Sequence, residues 1–304
     1  MAVPETQPAL PSTPYRGRFA PSPTGPLHAG SILAALASYL DARAHKGRWL
    51  VRIEDLDPPR ESKEAADSIL HTLEALGLHW DETVVYQSQR SAAYEAALAQ
   101  LAAQQMLYAC NCSRQKLSGT GPVYPGWCRE HHIVRGSATA LRCKVPDASI
   151  AFTDRLQGPY TQQLMQDVGD FIVHRRDGLF AYQLAVVVDD AWQGITDIVR
   201  GIDLIDSTPR QIYLQQQLGL ATPRYAHVPV VVNAEGQKLG KQQYAQAVDA
   251  ARPEPILFKT LQRLRQHPDA ALAHAAPPEI LTWAIAHWRP QNLASIGQIP
   301  EIEG

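Results

Sequence analysis

The chain has 304 residues, 45% of them hydrophobic and 19% charged, which is enough to bury a sizeable core in one large domain with insertions and appendages. A formal net charge of −2 gives no general attraction to nucleic acid, so any RNA contact has to come from a local basic face and be salt-sensitive. No apolar run is long enough to span a bilayer, and residues 1–14 are rich in Pro, Thr and Ala rather than basic and then apolar, so a flexible tail on a cytoplasmic protein is expected rather than a signal peptide.

Residues 15–105 alternate strands and helices. A strand at Arg16 is followed by a turn holding Pro21, Pro23, Gly25, Pro26 and Gly30, and then by a run from Ser31 to Lys46 with apolar residues at helical spacing. Glycines let the backbone pass close to a ligand and prolines restrict the approach, so Gly30 and Ser31 are expected to turn free helix N–H groups towards an anion. His28 is expected two residues before the helix, within reach of phosphate oxygens. A strand at Trp49 to Ile53 and helices at Glu61 to Leu76 and Ala92 to Gln105 complete this part, the pattern of a parallel, doubly wound α/β sheet. From Met106 to about Asp167 the pattern breaks into Gly, Pro, Cys and short strands, which reads as an insertion.

That insertion carries Cys110, Cys112 and Cys128, with the fourth cysteine at Cys143. A Cys-x-Cys pair rarely bridges itself and cytosolic chains lack structural disulfides, so a structural zinc site is the better reading. Three cysteines leave a fourth ligand open, for which Cys143, His131 and His132 are all available. Strand-like runs return at Phe171 to His174, Ala185 to Val188 and Val228 to Val232, with a helix from about Thr208 to Leu218. Residues 168–245 thus form a second half of the sheet, closing on a loop in which Lys238 and Lys241 stand three apart and can place ammonium groups on a triphosphate. Residues 246–304 are expected to form a small helical region.

The histidine turn and the lysine loop together resemble the two signatures of class I aminoacyl-tRNA synthetases. Arg18-Phe-Ala-Pro-Ser-Pro-Thr-Gly25, Arg52-Ile-Glu-Asp-Leu-Asp57, Tyr182 to Asp190 and Ile198-Val-Arg-Gly201 narrow the resemblance to the catalytic domain of the glutamyl-tRNA synthetases, in order and over nearly all of residues 16–245. The chain ends about sixty residues after Lys241, where a full member continues into a helical anticodon-binding domain. It therefore resembles the short branch of that family, which attaches glutamate to the queuosine base in the anticodon of tRNA(Asp).

The resemblance implies two steps: ATP with Mg²⁺ activates glutamate to glutamyl-adenylate, and a queuosine hydroxyl then takes the glutamyl group. His28 and Lys241 are the implied catalytic residues, with Gly30, Ser31 and Lys238 beside ATP. Arg18 and Arg200 match the substrate carboxylates, since guanidinium forks fit carboxylates and stay charged. Glu54 is expected to hold the α-ammonium, Tyr182 to offer its hydroxyl, and Phe19, Ala20, Pro21 and Ser22 to line the pocket with backbone. The implied zinc ligands are Cys110, Cys112, Cys128 and Tyr124. Two departures stand out: Val186 replaces a common asparagine, and Gly240 replaces the usual serine of the lysine loop. A monomeric enzyme with no membrane partner is expected; a compact charging synthetase, a nucleotidylyltransferase and a silent RNA-binding paralogue are the alternatives.

Overall fold

A computed structural model describes residues 14–233, 235–238 and 248–301. Nearly all of the expected tail, and Leu239, Gly240, Lys241 and Gln242 of the lysine loop, lie outside the described residues.

The chain runs β1 (Arg16–Phe19), α1 (Ala29–Ala44), β2 (Arg48–Ile53), α2 (Lys63–Ala75), β3 (Val85–Tyr86), α3 (Ser91–Ala103), β4 (Leu107–Cys110), α4 (Arg114–Leu117), β5 (Ala140–Cys143), β6 (Ser149–Asp154), β7 (Gly158–Gln163) and β8 (Phe171–His174). It continues through α5 (Tyr182–Trp192), β9 (Asp197–Gly201), α6 (Thr208–Leu218), β10 (Arg224–Val228), β11 (Val230–Val232), α7 (Pro253–Arg263), α8 (Pro277–Ala286) and β12 (Gln298–Pro300). The strands β1, β2 and β3 pair in parallel, as do β9 and β10. The two parallel pieces meet where Thr196 N–H donates to the Arg16 carbonyl at 2.9 Å, just before β9. Helix α1 lies over this junction: Ile32, Leu33, Leu36 and Leu40 are all buried, because an α-helix wedged between a sheet and a further helical layer is apolar nearly all round.

Three features differ from expectation. The run Ala185 to Val188 lies within α5, not in a strand; its valines are enclosed by a second core with Leu184, Leu214 and Val173, and burial outweighs the β preference of branched residues. The run Val228 to Val232 is broken at Pro229 into β10 and β11. The last segment is not purely helical, since β12 pairs in parallel with β11.

The insertion contributes β4 and β5 to an antiparallel sheet completed by β8, which follows it, and contains the hairpin β6-β7. Buried Asp41 is one of its ties to the rest: on α1, it accepts from Arg155, at the tip of that hairpin, at 2.7 and 3.1 Å, from Tyr15 before β1, and from the Trp288 indole after α8 at 3.1 Å. Burial pushes the Asp41 carboxyl up, but the Arg155 bonds and charge with the other donors overcome it and hold it below the ordinary carboxylate range. Asp41→Ala leaves the buried Tyr15 hydroxyl and Trp288 indole without their acceptor and should lower stability by about 3 kcal/mol in urea unfolding. A depressed folded pKa stabilises above the unfolded value near 4 and loses that effect as pH falls towards the folded value. The gap between wild type and Asp41→Asn should therefore be full at pH 7 and shrink below about pH 4.

Candidate active site and cysteine cluster

The strand ends of β1, β2, β9 and β10 open into a cleft of about 220 Å³, the place where an open α/β sheet binds ligands. Its walls include Arg18, Phe19, Ala20, His28, Gly30, Ser31, Glu54, Tyr182, Arg200 and Lys238. Sequence-expected residues separated by up to 220 positions thus share one cavity. Pro21 and Ser22 stand beside it: the Pro21 carbonyl accepts from Glu54 N–H at 3.0 Å, and Ser22 is exposed.

His28 is the N-cap of α1 itself rather than a residue two positions ahead of it. Its Nδ1 lies 3.1 Å from Gly30 N and 3.3 Å from Ser31 N. Backbone N–H can only donate, so Nδ1 accepts and a neutral ring carries its proton on Nε2, which faces Ser31 Oγ at 3.0 Å. The helix N–H groups expected to point outward are therefore capped by the imidazole, and a phosphate has to displace the ring from them.

A buried charge network forms the floor. Asp190 on α5 accepts from Arg18 Nε at 3.1 Å and from Arg52 at 2.8 Å, and Arg52 also donates to Glu54 at 3.2 Å and to Gln193 at 2.7 Å. Burial pushes the Asp190 carboxyl up, but its two arginines overcome this and lower it; for Glu54 burial prevails over Arg52 and Arg18 and leaves it raised. Neither Arg52 nor Asp190 was singled out from the sequence, although both fall inside the quoted motifs. Opposite them Arg200, on β9, donates from Nε to His227 at 3.1 Å and from one Nη to Thr208 at 2.8 Å, and its other Nη lies 3.5 Å from the Tyr182 hydroxyl. Arg200 is 5% exposed, yet among the described residues it forms no ion pair with a carboxylate. Lys238 bonds Asp203 at 2.7 Å on the rim. Val186 packs in the second core, in contact with Leu184 and its neighbours, rather than on the cleft wall.

In the insertion the thiols of Cys110, Cys112 and Cys128 lie within 4.8 Å of one another, all buried. The Tyr124 hydroxyl joins them, 3.4 Å from Cys110 Sγ and 3.7 Å from Cys112 Sγ. Cys143 is elsewhere, in the second core, where burial pushes its thiol up to about 12. His131 and His132 line a different groove. Gly169, at φ +72°, lets the Tyr124 backbone approach so closely that a Cβ there would sit 2.5 Å from the Tyr124 carbonyl oxygen. Arg142 stacks 3.5 Å over the Tyr124 ring and donates to Cys110 Sγ at 3.3 Å. Burial raises the Cys110 thiol, but the Tyr124 and Arg142 bonds outweigh it and bring it down to about 7. Three convergent thiols, one near its thiolate at neutral pH, and a phenol within reach fit a closed tetrahedral zinc site.

The family described as tRNA synthetases class I (E and Q), catalytic domain, matches residues 15–121 and 128–258. The unmatched stretch between them holds Tyr124. A relative from Pseudomonas putida named glutamyl-Q tRNA(Asp) synthetase is 53% identical over 289 residues, covering 95% of this chain and 96% of its own. Another of that name, from Pseudomonas aeruginosa, is 53% identical over 287 residues, covering 94% and 98%. Among solved structures, the glutamate-tRNA synthetase of Elizabethkingia anophelis shares the fold, with a TM-score of 0.77 at 22% identity over 94% of this chain and 68% of that one. The chain belongs to the class I tRNA synthetases (E and Q), and within them to the family of the glutamyl-Q tRNA(Asp) synthetases.

Proposed function

We propose that the protein is a cytoplasmic, monomeric ligase that activates glutamate with ATP and transfers it to the queuosine base in the anticodon of tRNA(Asp). The observation that carries this reading is the buried, ion-pair-free Arg200 guanidinium facing Glu54 and Arg18 across one cleft. An uncompensated buried cation favours an anionic ligand, and a guanidinium fork fits a carboxylate. In this reading Arg200 and Arg18 bind the two substrate carboxylates, Glu54 the α-ammonium and Tyr182 a carboxylate oxygen, while the backbone of Phe19 to Ser22 closes the pocket.

The α-carboxylate attacks the α-phosphorus of ATP in line; pyrophosphate leaves and glutamyl-adenylate remains. The negative charge spread over the phosphate oxygens is stabilised by the α1 N-terminus at Gly30 and Ser31, by His28 once its ring leaves the cap, and by Lys238 and Lys241. ATP arrives with its Mg²⁺ on the phosphates. A queuosine hydroxyl then attacks the activated carbonyl, giving an ester and AMP. Residues 15–105 and 168–245 are in this reading the two halves of one doubly wound sheet, residues 106–167 an insertion and residues 246–304 a packing region.

The first test is glutamate-dependent ATP–pyrophosphate exchange. The cleft residues are held in place by the protein's own network, so exchange should proceed without tRNA; dependence on added tRNA counts against the reading. The second test separates acceptors. A tRNA(Asp) lacking its 3′ terminal nucleotides should still accept glutamate when queuosine occupies the first anticodon position, and should not accept it when that base is guanosine. The opposite pattern makes this a compact charging enzyme.

Zinc is proposed for the cysteine cluster, held by Cys110, Cys112, Cys128 and Tyr124; it supplies folding stability to a subdomain with little core and no chemistry. Purified protein should carry one zinc per chain. Cys112→Ser should release it and raise protease sensitivity between residues 106 and 135 while most exchange activity stays, and Tyr124→Phe should weaken retention. Loss of metal from Cys143→Ser instead would overturn the ligand set.

A further inference from the structure

The cleft of the proposed glutamate reading contains a hydrogen-bond relay that reaches Arg200 from behind. His227, on β10, is wholly buried, and its two ring nitrogens have different partners: Nδ1 lies 2.6 Å from Asp154 Oδ2 and Nε2 lies 3.1 Å from Arg200 Nε. An arginine Nε–H can only donate, so His227 Nε2 must accept. The ring proton therefore sits on Nδ1 and is donated to Asp154. Thr208 adds to the frame: its Oγ accepts from an Arg200 Nη at 2.8 Å and lies 3.3 Å from His227 Nε2. Burial favours the neutral imidazole more than Asp154 favours the charged one, in keeping with an acceptor at Nε2.

Asp154 is itself fixed. Its Oδ1 receives three backbone N–H groups, from Leu156 at 2.9 Å, Gln157 at 2.9 Å and His227 at 3.1 Å, which leaves Oδ2 alone for the imidazole. The residue closes β6 and begins the hairpin turn, so a loop with no wall on the cleft controls a ring that does not touch substrate.

We propose that Asp154 and His227 are positioning residues for substrate recognition: Asp154 fixes the tautomer of His227, and His227 accepts Arg200 Nε–H while Thr208 and the Leu204 carbonyl accept from one Nη, so that the other Nη, beside the Tyr182 hydroxyl, is turned to the substrate carboxylate. The proposal rests on the reading of Arg200 as a carboxylate-binding residue. Without the relay Arg200 keeps its charge but loses its aim, which weakens glutamate capture and leaves the ATP side of the cleft untouched.

The geometry makes Asp154→Asn an informative variant. The three backbone donors require oxygen at the Oδ1 position, so the amide NH₂ of the variant must replace Oδ2 and face His227 Nδ1. His227 then accepts at Nδ1 and carries its proton on Nε2, donor against donor with Arg200 Nε–H. In glutamate-dependent exchange the KM for glutamate should rise about 10- to 100-fold, the weight of one charge-assisted hydrogen bond. The KM for ATP should change less than about threefold, within the ordinary scatter of a surface change. Nitrogen-15 NMR of the His227 ring should show the proton moved from Nδ1 to Nε2. Of two variants at His227, Gln, whose amide oxygen can occupy the place of Nε2, should recover part of the glutamate KM that Leu loses.

Arg200→Ala keeps the two claims apart. If it leaves the glutamate KM unchanged, the reading of the pocket fails. If it raises that KM while Asp154→Asn stays at the wild-type value, or while the Gln and Leu variants of His227 are equal, the pocket reading stands and the relay is overturned. The His227 pair decides the matter even if Asp154→Asn does not fold.

Discussion

Two guanidinium groups and two carboxylates share one buried volume beneath the cleft, and their balance sets what the rest of the structure can do. Arg52 is fully buried and Arg18 is 3% exposed; each is tolerated only because Asp190 lies between them and Glu54 beside Arg52. Removing one carboxylate from such a group leaves a charge in low dielectric, at a cost of about 3 to 5 kcal/mol. The network joins the ends of β1 and β2 to α5, where the preceding residue, Asp189, accepts from Gln87 and Tyr94 at 2.8 and 2.6 Å and so carries the constraint into α3. Adjacent aspartates on one helix thus hold the catalytic cleft on one side and the second core on the other.

Much of the cleft was legible from local patterns. Turn residues before an apolar run marked the α1 N-terminus, and the resemblance carried by the separate motifs around Arg18, Glu54, Tyr182 and Arg200 gave four wall residues that the fold brings together. What local patterns missed are partners set by long-range geometry. Asp190 meets Arg18 across 172 residues, and His227 meets Asp154 across 73. Neither pairing has a periodicity or spacing to reveal it, and only a count of buried charges exposes the need for them. The strand expected at Ala185 to Val188 failed for a related reason: β-branched residues mark burial as readily as they mark a strand, and α5 is buried on the side its valines occupy. Helical His28 capping was missed because histidine is an uncommon N-cap, whereas serine caps α2 in the ordinary way.

The cysteine cluster shows a second solution to buried charge. Three thiols and a phenol are mutually repulsive once ionised, and among the described residues Arg142 is the compensating cation, stacked on the phenol and bonded to Cys110. A divalent cation is the natural remaining counter-charge. The insertion is tied to α1 through Arg155 and Asp41, and to the cleft through Asp154, whose carboxylate holds His227 behind Arg200.

On the proposed reading, substrate choice follows from the same charge balance. Arg18 and Arg52 are offset by Asp190 and Glu54, and Arg200 is bonded among the described residues to neutral acceptors alone, with the Asp154 carboxylate one imidazole behind it. Glutamate, with two carboxylates and one ammonium, carries the single negative charge that completes this arrangement. Glutamine is neutral overall and offers Arg200 an amide oxygen in place of a carboxylate, which is a weaker acceptor for a guanidinium. Burial makes that difference count, because a guanidinium 5% exposed has almost no water to fall back on. Specificity for the acid over the amide therefore follows from an arginine that, among the described residues, has no carboxylate bonded to it directly.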